Sequence, residues 1–245
     1  MRPGCEDRAG RQCHKNRHRK RQRGSQRRMQ HYNKLESNFG PSSILLVGNL
    51  KVGKSTIFSS YVGRRRRVFV YPGTAVELAI GATGTEPFSK IIDTPGFYSL
   101  QERSEDALVV RDLLSRKLVG GVLLVLDAKN LRRGLSLAFE LAEFQVPLII
   151  ALNMHDEARQ RGVEINIKRL SELLGVPIIP TVATEGRGLN QLKKALRDAR
   201  APKIRLEYPD VLRHLVEEIE VLLAGRNMPI GGIAYLLSMD LTSIN

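Results

Sequence analysis

An α/β fold, with a mostly parallel six-stranded sheet flanked by helices, is what this sequence predicts. Two observations carry the expectation. From Ser43 onward, short apolar runs alternate with amphipathic segments of helical period. One run, Val122-Leu123-Leu124-Val125-Leu126, is apolar without interruption, as a strand covered on both faces should be.

Strands are expected at 44–48, 75–82, 89–92, 121–127, 147–153 and 176–180, and helices at 54–62, 105–118, 131–144, 168–174 and 188–199. The second and third strands are separated by Gly84-Thr85-Glu86-Pro87, close enough to pair as an antiparallel hairpin. Past Ala201-Pro202 only helical patterns follow, at 208–224 and 229–239, so residues 201–245 read as a small, truncated helical appendage to a main domain over 41–200.

The 42% apolar content is that of a globular chain, and the net charge of +14 is unevenly placed. Twelve Lys/Arg and three Asp/Glu fall in residues 1–40, so nine of the fourteen net charges sit in that segment. It has no hydrophobic period and too little apolar surface to offset its ordering entropy, and is expected to be a basic disordered tail. Two uses remain open, an electrostatic arm for nucleic acid or anionic lipid and an inert extension, with Met29 an alternative start to Met1. The two cysteines, Cys5 and Cys13, both lie there and offer no disulfide framework, which makes a reducing cytoplasmic setting the expectation. No apolar run reaches the roughly 18–20 residues that a membrane-spanning helix needs.

The chemistry gathers at strand ends. Gly48-Asn49-Leu50-Lys51-Val52-Gly53-Lys54-Ser55, followed by Thr56, is G-x-x-x-x-G-K-[ST] between a strand and a helix. Its glycines let successive backbone N–H groups turn toward phosphate oxygens, with the helix N-terminus adding positive charge. Lys54 is expected to reach the β- and γ-phosphates and Ser55 to ligate Mg²⁺. Asp93-Thr94-Pro95-Gly96 closes the third strand, where the carboxylate can hold Mg²⁺ through water and the Gly96 N–H can meet a γ-phosphate. Asn153-Met154-His155-Asp156 closes the fifth. In N-x-x-D the carboxylate accepts from the two adjacent N–H groups of guanine, which adenine lacks, and this selects GTP. After the sixth strand, Thr181-Val182-Ala183 is placed for the Ala183 N–H to meet the guanine oxygen.

With these residues in hand the chain resembles the G domain of FeoB, the bacterial ferrous-iron transporter, a Ras-like P-loop GTPase. The resemblance rests on Pro72-Gly73-Thr74-Ala75-Val76-Glu77, Asp93 to Leu100, Ser104-Glu105-Asp106, Asp127 to Leu131, Leu152 to Ala158 with Met154 inside N-x-x-D, and Leu174 to Thr181. It runs from about Ile44 to Leu196, with the later helices similar to the start of the family's cytosolic helical domain. It implies binding of GTP and GDP with Mg²⁺, slow hydrolysis, and a membrane permease as partner, either a missing C-terminal domain or a separate chain. Localisation would be cytoplasmic, or peripheral at the inner face of the plasma membrane.

Several positions depart from the family pattern. Lys51 replaces the asparagine that helps hold an activating K⁺: either its ammonium stands in for that ion or it points to solvent and the activation is lost. Ala75 occupies the place of the switch threonine that meets Mg²⁺, leaving Thr74, one residue away, as the metal-ligating alternative. Phe97 follows Gly96 where Ras-like proteins carry a water-orienting glutamine. The run Arg64-Arg65-Arg66-Arg67 makes the adjoining loop basic, as a clamp for phosphate or an acidic partner or merely as solvated chain. Two other functions fit parts of the pattern: an Era/Der-like RNA-associated assembly GTPase, and a guanine-nucleotide-binding module that does not hydrolyse.

Overall fold

The computed structural model describes residues 38–63 and 65–204, with Asp210, His214 and Glu218 beyond them. The chain divides into two units, Met1–Phe39 and Gly40–Asn245. The expected basic tail except 38–40, of which Gly40 already belongs to a strand, and all of the expected helical appendage except 201–204 and those three residues, lie outside the described part.

The strands are β1 (Gly40–Gly48), β2 (Arg66–Val70), β3 (Glu77–Ala82), β4 (Lys90–Asp93), β5 (Val119–Asp127), β6 (Leu148–Asn153) and β7 (Ile178–Pro180). They form one sheet in the order β2-β3-β4-β1-β5-β6-β7. Neighbours from β4 to β7 are parallel, whereas β2/β3 and β3/β4 are antiparallel, as expected for the hairpin. The helices are α1 (Lys54–Val62), α2 (Glu105–Ser115), α3 (Leu131–Ala142), α4 (His155–Gln160), α5 (Ile167–Leu174) and α6 (Leu189–Ala195).

Central strands supply the core. Ile44 to Val47 of β1 and Val122 to Val125 of β5 are fully buried, which explains their unbroken apolar sequence. Burial of these branched chains, at roughly 25 cal/mol per Å² of apolar surface, is what holds the sheet. Ser104 begins α2 by accepting from the Ala107 N–H, with Glu105 and Asp106 in the first turn beside the positive helix end.

Two corrections to the sequence reading have clear causes. The sheet has seven strands rather than six, because Arg66–Val70 is an edge strand and not a basic loop. It pairs Phe69 with Leu78 and Arg67 with Ile80, and its arginines stay in solvent, so composition concealed it. The His155–Gln160 helix begins inside N-x-x-D because Met154 takes a left-handed conformation, φ 58°, and turns the chain into it. Boundaries shift for similar reasons: the positive φ of Lys117 and Gln145 follows the ends of α2 and α3 short of 118 and 144.

Register places the chemistry. Leu46 lies opposite Asp93, Gly48 opposite Val125, and Asp127 opposite Asn153. The carboxyl ends of β1, β4, β5 and β6 therefore share one edge of the sheet, where open α/β sheets bind ligands.

Candidate functional site

The loop from Gly48 to Ser55 leaves β1 and enters α1 through Gly53, whose φ of 92° suits glycine. A Cβ at Gly53 would also stand 2.3 Å from Asn153 Nδ2, so the loop lies directly against the end of β6. Lys54 is buried, and its Nζ donates to the Gly48 and Asn49 carbonyls at 3.1 and 3.2 Å. Desolvation lowers its pKa, opposed by the charges of Asp93 and Asp106. Ser55 and Thr56, one step along, are exposed.

Gly96 reaches this lysine from another strand. A Cβ there would lie 2.9 Å from Lys54 Nζ and 3.0 Å from the backbone of Leu50. The D-x-x-G backbone is thus packed against the phosphate loop, and no larger residue fits without moving one of them. Asp93 is pushed up to about 6 by burial, which outweighs the attraction of Lys54 and Arg66. Its Oδ1 is buried without a hydrogen-bond partner. An orphaned carboxylate oxygen is a hard donor of the kind Mg²⁺ takes, as is the exposed Ser55 hydroxyl. Thr94 does not face this site: its hydroxyl and its N–H both donate to the Leu46 carbonyl, at 2.9 and 3.3 Å, and stitch β4 to β1.

On the base side, Asn153 is an internal brace. Its Nδ2 donates to the Val52 carbonyl at 2.9 Å, and its Oδ1 accepts from Thr181 Oγ1 at 3.1 Å and from the Ala183 N–H at 3.0 Å. One side chain therefore ties together the phosphate loop, β6 and the loop after β7. The Ala183 N–H, expected to meet a guanine oxygen, is in this structure directed to Asn153. The brace is flanked by a cleft of about 310 Å³, bordered by Lys51, Gly53 to Thr56, Asn153, Met154, Asp156, Glu157 and Val182 to Thr184. Phosphate loop and N-x-x-D thus meet in a single cavity.

Pro72, Gly73 and Thr74 are not part of that cavity. The Thr74 hydroxyl, expected on the metal, here donates to the Tyr71 carbonyl at 3.0 Å and accepts from the Val76 N–H at 3.2 Å, closing a local turn. The turn is docked on α2, with the Ala75 N–H donating to Glu105 Oε2 at 2.9 Å and the Tyr71 hydroxyl to Asp112. Beyond Gly96, Glu140 of α3 accepts from Ser99 Oγ and from the Leu100 N–H, at 2.7 and 2.6 Å, and Arg133 stacks over Tyr98. None of these partners was visible in sequence, because each pair joins elements about 30 or more residues apart. Arg187, 3.8 Å from Asp156, was missed for the same reason, whereas Glu157 follows N-x-x-D directly and could have been noticed.

A phosphate loop after β1, D-x-x-G after β4 and N-x-x-D after β6 of this sheet define a Ras-like P-loop GTPase domain. The comparisons with known proteins narrow the class. The family model for ferrous iron transport protein B matches residues 42–196. The Fe(2+) transporter FeoB of Escherichia coli K12 is 38% identical over 159 residues, 63% of this chain and 21% of that protein. A Porphyromonas gingivalis fusion of Fe(2+) transport protein A with FeoB is 35% identical over 184 residues, 72% of this chain and 22% of the fusion. Among solved structures, the cytosolic domain of L. pneumophila FeoB superposes with a TM-score of 0.70 at 30% identity, over 79% of this chain and 78% of that one. An S. thermophilus NFeoB mutant bound to mGDP gives 0.69 at 32% identity, over 79% and 76%. The chain belongs to the FeoB family and carries its G domain. It spans about a fifth of the length of the curated relatives it matches.

Proposed function

We propose that this protein binds GTP and GDP with Mg²⁺, hydrolyses GTP slowly, and reports its nucleotide state to a membrane permease in ferrous-iron uptake. The observation that carries the reading is one cleft lined by Lys54 and the Asn153 brace, with Gly96 packed against Lys54 Nζ. Lys54 leaves the Gly48 and Asn49 carbonyls for the β- and γ-phosphates, and the Gly96 N–H receives the γ-phosphate. Asp156 reads the guanine N–H pair, with Met154 and Val182 to Thr184 bordering the base. Ser55 and Asp93 hold Mg²⁺, which supplies charge neutralisation when bound. The rate then rests on positioning and electrostatics. Phe97, 2% exposed, is an apolar plug that cannot orient water, and this supports a slow turnover.

Lys51 stands at φ 61° with an exposed side chain on the border of the cleft. There its ammonium replaces the K⁺ of the family, and turnover does not depend on K⁺. The domain works in the cytoplasm, at the inner face of the plasma membrane when engaged with its permease, and residues 1–40 add attraction to anionic lipid or nucleic acid. No helix among the described residues is long and apolar enough to cross a membrane.

Phosphate release by the full chain, in KCl and in NaCl, beside Lys54→Ala, tests the reading. Equal turnover in the two salts, abolished by the substitution, is the expected result. A strong preference for KCl would remove the role given to Lys51. Guanine nucleotide binding with no turnover above Lys54→Ala would make the protein a binding module.

A further inference from the structure

Arg66 and Arg67, the end of the arginine run, open the outer strand of the sheet. β2 pairs with β3 on one side only, and no described strand covers its other side. Its outward-pointing N–H and C=O groups are a template for a further strand. The two ends of the sheet differ in this respect. At the far end β7 has three residues, finishes in Pro180, which has no N–H to offer, and is buried at Ile178 and half-buried at the other two. β2 has five residues and no proline, and Val68 and Val70 are 58% and 53% exposed.

Charge decides what such an edge accepts. Arg65, Arg66 and Arg67 are all exposed, two of them on β2 and one just before it. A second copy pairing antiparallel about Val68 would set Arg66 opposite Val70 and Arg67 opposite Phe69, so it would offer the arginines no acidic partner. Nucleic acid would use the guanidinium groups but neither the valines nor the backbone donors. An extended peptide uses all three, with main-chain bonds for affinity and alternate side chains for specificity.

We propose that β2 is a docking edge for an acidic extended segment of a partner protein, which adds as an eighth strand. Running antiparallel, the segment places apolar residues opposite Val70 and Val68 and consecutive acidic residues opposite Arg67, Arg66 and Arg65. Tyr71 follows β2 directly and begins the turn that docks on α2, so the bound segment adjoins the loop carrying Thr74. The proposal does not depend on the nucleotide reading.

The probe is a fluorescein-labelled acetyl-Val-Thr-Val-Glu-Asp-Glu amide, titrated into the ¹⁵N-labelled full chain without nucleotide. Saturable binding is expected, with amide shifts confined to 65–70 and their β3 neighbours. Arg66→Glu/Arg67→Glu should weaken it about tenfold, equivalent to about 1.4 kcal/mol. Both side chains are exposed, so an unchanged melting curve will show that this variant folds. Lack of binding overturns the proposal. So does equal affinity for the charge-reversed variant, which would put the peptide on other basic chain. Equal binding of a peptide with proline in place of Thr and Asp would reduce the effect to charge attraction and overturn it as well. A peptide-free dimer that the charge reversal strengthens would assign the edge to a second copy instead.

Discussion

The phosphate loop and the 71–76 loop sit at the same end of the sheet, since Ala79 lies opposite Asp93 and β3 therefore begins where β4 finishes. They are held in different ways. The phosphate loop is fixed by short-range backbone geometry, a lysine on its own carbonyls, and a buried asparagine that bonds Val52. The 71–76 loop is held through α2, by Glu105 on one N–H and Asp112 on the Tyr71 hydroxyl. A buried, fully bonded brace is expensive to open, whereas two polar contacts at a partly exposed surface each contribute only about 1 kcal/mol. The contrast suits a G domain, in which one loop must hold phosphate in every state and the other must exchange its partners.

Breaking the rigid side should have the largest effect. Gly96→Ala forces a methyl group to within 2.9 Å of Lys54 Nζ and 3.0 Å of the Leu50 backbone. GTP turnover should fall about a hundredfold with little loss of folding stability, measured by phosphate release and a thermal melt. Turnover near that of the unmodified protein would mean that Gly96 and Lys54 separate during the reaction.

Asn153→Ala tests the brace itself. It leaves the Val52 carbonyl and the Ala183 N–H without their partner in a buried site, and stability should drop by about 3 kcal/mol in denaturant unfolding. A loss below about 1 kcal/mol would show that the loops are held by something other than Asn153.

Asp93 gives the comparison a pH dependence. Its carboxyl is raised from the ordinary 3.8 to about 6 in the folded protein, so the unfolded chain releases this proton first as pH rises. Stability from this group is greatest below about 4, declines between about 4 and 6, and stays lower above that. In nucleotide-free protein, Asp93→Asn should therefore melt higher at pH 8, by on the order of 1–2 kcal/mol, and the gap should close toward pH 4. An Asp93→Asn variant less stable at pH 8 would show that attraction to Lys54 outweighs burial.

The smallest effect is expected on the exchangeable side. Tyr71→Phe removes the bond to Asp112 and should cost about 1 kcal/mol or less. Amide exchange should quicken over 71–76 while the phosphate loop is unaffected. Equal quickening in both loops would erase the distinction between them.

Local sequence was enough for much of this molecule. Gly48 to Ser55, Asp93 to Gly96 and Asn153 to Asp156 were legible because each motif is contiguous and sits where an apolar run ends. The buried strands were legible because a strand covered on both faces must be apolar throughout, as at 122–126. The family followed from those same residues. Three-dimensional placement decided the remainder. β2 was hidden because an edge strand needs no apolar alternation on its solvent side, and its arginines read as loop. The turn that engages the Thr74 hydroxyl with Tyr71 and Val76 was not legible either. The inward turn of the Ala183 N–H, and the hold of Glu105, Asp112 and Glu140 on the loops, depend on pairs separated by some 30 to 41 residues. Periodicity and spacing report only what neighbours along the chain share, and such pairs form only once the sheet has brought its helices together.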